Sequence, residues 1–97
     1  MADHGEKRKV NVNVAGKLYT LVTNDDQAYV NRVADIADRT LRETAMATRQ
    51  SVQQAGPLAV ISLADELVKS RDQITYLEKE LTRLRQALEE AEKKAKA

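Results

Sequence analysis

From Val60 onward an apolar residue returns every three or four positions, and it does so almost to the end of the chain. With Val60 at the first position (a) of a seven-residue repeat, the a sites are Val60, Leu67, Ile74, Leu81, Leu88 and Ala95. The d sites are Leu63, Ser70, Leu77, Leu84 and Ala91, so only Ser70 breaks the seam. No Gly or Pro follows Pro57. A repeat sustained over this many turns predicts a coiled-coil helix within 57–97. Pro57 suits its first turn, where the missing N–H is not needed. The helix would reach about Lys94 and measure about 57 Å at the standard rise. A lone helix cannot bury such a seam. Val60, Leu63, Leu67, Ile74, Leu77, Leu81, Leu84 and Leu88 are therefore the expected contacts between copies of the chain.

The two ends of this helix read differently. Leu58, Ile61, Ala64 and Val68 broaden the apolar face near its start, enough to touch both a partner helix and the preceding residues. From Ile74 the face narrows to a and d, with Arg71, Glu78, Arg85 and Glu92 at e and Glu66, Gln73 and Glu80 at g. Glu66–Arg71 and Glu80–Arg85 would be opposite-charge pairs in a parallel dimer. These pairs lean towards parallel pairing without deciding it, because an antiparallel four-helix assembly could use the same charges. Tyr76, at position c, points away from the seam as a surface or inter-dimer packing residue.

What precedes the helix predicts a small α+β head over 9–56. In KVNVNVAGKLYTL, Val10, Val12 and Val14 alternate with Asn11 and Asn13, the period of a half-buried strand. A two-residue loop at Ala15-Gly16 places Val12 opposite Tyr19 and Val10 opposite Leu21, with all four on one face. A one-residue slip would invert that pairing of faces. The hairpin is expected over 9–22, with Gly16 supplying the positive φ of a tight turn. Asn24 is placed to cap a helix over about 25–46, with Gln27 completing a capping-box pair. Val30, Val33, Ala37 and Leu41 share a stripe of that helix that matches the valine face. Asp35–Arg39 and Asp38–Arg42 are spaced for ion pairs. Residues 47–56 connect, with Ser51 able to start a short turn, and residues 1–8 form a loose tail.

Composition narrows the function. The chain has 97 residues and neither Cys, Phe nor Trp. Disulfides and thiolate metal sites are excluded, and a small chain without such staples gains stability by self-association. Its single histidine, His4, lies in the tail, and its three glycines form no phosphate loop. The carboxylates follow helix-surface spacing, so neither catalysis nor a cofactor is expected. The 16 basic and 15 acidic residues nearly cancel, against a dedicated nucleic-acid binder. No leader or membrane-length apolar run is visible, so a cytoplasmic protein is expected.

The hairpin pattern V-x-V-x-G-x-x-Y-x-L and the segment LAVISLADEL opening the long helix resemble the ZapA family of bacterial cell-division proteins, over roughly residues 8–90. That resemblance implies a head followed by a protruding coiled coil. It implies dimers formed through the head and the start of the long helix, and tetramers of two dimers joined through their coiled coils. It further implies binding and bundling of FtsZ, the tubulin-like GTPase of the division ring, at mid-cell. By the same analogy the head makes the contact through charged residues, which here are Lys17, Arg39, Arg42 and Arg49. Acidic residues interrupt any continuous basic stripe on the first helix. Two other readings stay open: a coiled-coil nucleic-acid-binding regulator, motivated by Lys7-Arg8-Lys9, and a structural oligomer with another partner.

Overall fold

The computed structural model describes residues 6–96, so His4 and most of the expected tail lie outside the described residues. The order of elements is β1 (Arg8–Val14), β2 (Lys17–Thr23), α1 (Gln27–Thr48) and α2 (Gly56–Lys96). This is the α+β arrangement expected of the sequence, one hairpin followed by two helices. The chain divides into two compact units, Met1–Leu63 and Ala64–Ala97.

In the first unit β1 and β2 pair antiparallel, with Val14 opposite Lys17, Val12 opposite Tyr19 and Val10 opposite Leu21. Ala15 and Gly16 form the loop, both with positive φ, 54° and 82°. That double left-handed conformation matches the right-handed twist of the strands it joins. A Cβ on Gly16 would meet nothing within 4 Å. Glycine is needed there for its backbone, not for space. On the solvent side Thr20 donates to Asn11 Oδ1 at 2.8 Å across the strands.

Val10 and Val12 pack with Val30 and Ala34 of α1 as the core, and Val14 packs against its edge. Helix α1 lies over β1 and not over β2. Its start differs from the expected one. The cap is Asp26, in extended backbone, whose carboxylate accepts from the Tyr29 N–H at 2.8 Å. Thr23 and Asp25 bond to each other in the turn before it, which delays helix entry by two residues. Gln27, now inside the helix, donates to Asn31 instead of closing a capping box.

The exit from α1 is a left-handed turn at Arg49, φ 55°. The Gln50 N–H reaches the Ala45 carbonyl at 3.0 Å, and the Arg49 N–H reaches Met46 at 3.4 Å. These two bonds close a Schellman motif, with arginine where glycine is usual. Ser51 and Gln54 then form a reciprocal capping box. Ser51 Oγ accepts from the Gln54 N–H at 3.1 Å, and Gln54 Oε1 accepts from the Ser51 N–H at 3.3 Å. The turn that Ser51 starts runs into α2 through Ala55, which donates to the Ser51 carbonyl and accepts from Ala59.

In the second unit α2 continues without interruption and ends with Lys93, Lys94 and Lys96 in its last turn, the favoured charge at that end of a helix dipole. An Asp65–Lys69 pair at 3.0 Å and a Glu80–Arg83 pair at 2.9 Å lie along its surface.

A non-glycine residue in left-handed backbone carries a steric cost that asparagine reduces. Ala15→Asn should therefore raise the unfolding free energy by about 0.5–1 kcal/mol, because Asn-Gly is the preferred pair for this turn. Urea denaturation of the two proteins checks this, and an unchanged midpoint would contradict it.

Candidate assembly and partner surfaces

The hairpin presents two rows of side chains to α1, and α1 covers only one. On β1, Val10 and Val12 are buried; on β2, Tyr19 and Leu21 remain 48% and 42% exposed. Between them lies an open apolar depression of about 330 Å³, walled by Val12, Val14, Tyr19 and Leu21 from the sheet and by Val33, Ala37 and Leu41 from α1. Ala37 and Leu41 also border a second hollow of about 240 Å³ with Gly56, Ala59, Val60 and Leu63. The first unit thus carries a continuous apolar band, from the second strand through α1 to the first turns of α2. The stripe of Val30, Val33, Ala37 and Leu41 read from the sequence is this band's floor.

In the second unit the seam has no cover from its own chain. Leu67, Ile74, Leu77, Leu81, Leu84 and Leu88 are each about half exposed along one face of the helix. Isolated exposed leucines need no explanation, but a row of this length on one face marks an interaction surface.

The basic positions of the first unit fall into different settings. The Ala15 N–H at the hairpin tip donates to Asp38 Oδ1 at 2.7 Å, across 23 residues of sequence. Arg42 Nε lies 3.1 Å from both oxygens of the same carboxylate. Arg42 is therefore held at the hairpin tip, and Lys17 starts β2 two residues beyond Ala15. Arg39 does not join them. It borders a shallow depression with Arg32, Asp35, Ile36 and Asp38, of mixed charge, and the expected Asp35–Arg39 pair does not close. Arg49 sits at the far end of α1, in the left-handed turn that ends the helix. All four are exposed, and of them only Arg42 forms an ion pair among the described residues.

The Asp38 bond is the feature that sequence reasoning missed. The motif Asp38–Arg42 gave one partner of the carboxylate, but no local pattern pointed to a backbone amide in the hairpin loop. The Ala15 amide, with Arg42 added, holds the Asp38 carboxyl below its ordinary value of 3.8. A depressed carboxylate stabilises the fold above its unfolded value, and that contribution is lost as pH falls through the folded value. On acidification below about pH 4 the protein should lose a share of its stability that Asp38→Asn does not lose. Thermal melts of both proteins from neutral to acidic pH measure this, and parallel acid limbs would contradict it.

Among the described residues no cluster of three or more His, Asp or Glu side chains could hold a metal ion. No helix among them is long and apolar enough to cross a membrane.

Comparison with known proteins agrees with this architecture. A solved structure described as a ZapA mutant dimer from Geobacillus stearothermophilus superposes with a TM-score of 0.62 at 23% identity, over 84% of this chain and 96% of that one. The likeness is one of fold. A search among curated proteins found no match to the chain. The family described as Cell division protein ZapA matches residues 10–95, which is nearly the whole sequence and takes in the hairpin, both helices and the seam. The chain belongs to the ZapA family of cell-division proteins.

Proposed function

We propose that this protein is a non-enzymatic cross-linker of the division ring, which associates with copies of itself and bundles FtsZ polymers at mid-cell in the cytoplasm. The observation that carries this reading is the amount of apolar surface left open in both units, on the half-covered hairpin and along the α2 seam. Membership of a cell-division family supplies the biological setting. The matched structure is described as a dimer, and the same first step is proposed here. In this reading the first turns of α2 of a second copy cover the band around Tyr19 and Leu21. The seam from Leu67 to Leu88 then joins dimers into a homotetramer.

Functionally the chain divides into a tail (1–8), a head (9–56) and a long helix (57–97). The head binds the polymer, and Lys17, Arg39, Arg42 and Arg49 supply its positive charge. FtsZ is an acidic protein, and complementary charge speeds encounter and selects the partner. No reaction is needed. Two binding faces on one assembly raise the effective concentration of the second contact, so weak single sites suffice for bundling.

Co-sedimentation tests the partner. The protein should pellet with FtsZ polymers at modest salt and increase the pelleted mass, and its remaining in the supernatant would refute the proposal. Lys17→Glu combined with Arg39→Glu should reduce pelleting while leaving the size of the assembly unchanged, since neither residue forms an ion pair among the described residues. Leu77→Glu with Leu84→Glu should give smaller species that bind without bundling. A tetramer persisting in light scattering would show that the seam does not hold the dimers together.

A further inference from the structure

Asp38 joins two elements that nothing in the local sequence gives a reason to join. A two-residue hairpin loop leaves its first amide outside the strand ladder, and such a group needs an acceptor elsewhere. Here the acceptor is Asp38 Oδ1, midway along α1 and 2.7 Å from the Ala15 nitrogen. The same carboxylate accepts from Arg42 Nε, which lies 3.1 Å from each oxygen. Nε is the inner nitrogen of the guanidinium, so this contact leaves the two terminal nitrogens at the outer end of the group. Neither of them makes a hydrogen bond among the described residues, and the Arg42 side chain is 56% exposed.

Lys17 stands at the same end of the hairpin. It is opposite Val14 in the register, and Val14 packs against the edge of the core shared with α1. Directly opposed residues share a face, so Lys17 leaves the sheet on the side that carries Asp38 and Arg42. It forms no ion pair among the described residues.

We propose that Asp38 is a positioning residue of the partner contact. It holds the outer end of the Arg42 guanidinium at the hairpin tip as a two-pronged receptor for one carboxylate side chain, with Lys17 as the second cation. This rests on the binding of an acidic polymer put forward above and adds the chemistry of one contact, an exposed Asp or Glu of the polymer.

Two parallel N–H donors match the two oxygens of a carboxylate, which an ammonium group cannot do. An unanchored arginine loses much of its rotamer freedom on presenting that fork, whereas Asp38 fixes it before the partner arrives. The bond to Ala15 acts in the same sense, since it fixes the hairpin tip, and with it Lys17, against α1. Net charge argues the other way. A carboxylate beside Arg42 lowers the positive potential of the tip, so Asp38 subtracts attraction and adds direction. Arg39 and Arg49 have no such anchor among the described residues.

That opposition gives the test its sign. Asp38→Asn keeps an oxygen that can accept from Ala15, removes the charge that holds Arg42, and raises the net charge of each chain by one. If charge alone draws the head to the polymer, this variant pellets with FtsZ polymers more strongly than the unaltered protein. In the proposed contact its apparent affinity instead falls, by about fivefold. Arg42→Lys keeps both charges, loses the fork, and should fall about as far. In an Arg42→Ala background Asp38→Asn should cause no further loss, because residues that act as one unit are not additive. Pelleting of Asp38→Asn that equals or exceeds that of the unaltered protein would overturn the inference, as would a loss that persists without Arg42. Light scattering checks that each variant keeps the size of its assembly. Where Asp38→Asn changes that size, Arg42→Lys decides alone, and its undiminished pelleting overturns the inference. An unaltered protein that stays in the supernatant would overturn the polymer binding itself, and the positioning role with it.

Discussion

Among the described residues the buried ones are Val10, Val12, Val30, Ala34, Ala45, Ala55 and Ala59, and none is larger than valine. The leucines, isoleucines and tyrosines lie partly or mostly in the open. Folded proteins ordinarily do the reverse, since a large aliphatic side chain gains about 1.5–3 kcal/mol from full burial and an alanine far less. The interaction on which the fold depends is thus the contact of three strand valines with one small stripe of α1. It is strong enough to fix the hairpin on the helix and too small to finish a core. In the proposed assembly, association between chains completes the burial that this contact begins.

A thin core places more weight on polar bonds that fix backbone direction. The hairpin tip is tied to Asp38, the entry to α1 is capped by Asp26, and its exit is closed at Arg49. The Ser51–Gln54 box then starts the next turn only two residues later. Each device satisfies amides or carbonyls that would otherwise face water at a chain reversal. Together with the valine contact they set the direction of the hairpin and of the entry to and exit from α1. The exposed band around Tyr19 and Leu21 thereby acquires a definite form before any second chain meets it.

What can be read from the sequence divides along the same line. The pairing of β1 with β2 is legible because a two-residue loop fixes the register and the valine face together, so each checks the other. The α2 seam is legible because it repeats. Sequence alone misplaces the helix cap by two residues, since Asn24 and Asp26 are both good caps. The Thr23–Asp25 bonds, local to the turn before the helix, decide between them. Asp38 reads only as half of a helical ion pair, because its bond to Ala15 depends on the hairpin lying on α1. The arginines are the least legible. Spacing places Arg39 and Arg42 on a helix and Arg49 after it, but only the fold separates Arg42, fastened at the hairpin tip, from Arg39.

Repetition also limits what a seam can specify. Leucine at most a and d positions gives stability in any alignment that keeps the heptads in step, so burial cannot choose among those alignments. Selection must come from residues that break the period. In the second unit these are Ser70, which disfavours facing a leucine, and the e column, whose signs recur at twice the heptad spacing. Exposed ion pairs contribute little each, commonly below about 1 kcal/mol. Their effect is a difference between alignments: in a column whose signs alternate, a shift of seven turns opposite-charge contacts into like-charge ones. Specificity between assemblies of nearly equal hydrophobic burial requires only such a difference. Under the proposed function, holding two binding faces apart depends on alignment more than on extra affinity, because a slipped register alters the spacing of the faces without dissolving the assembly.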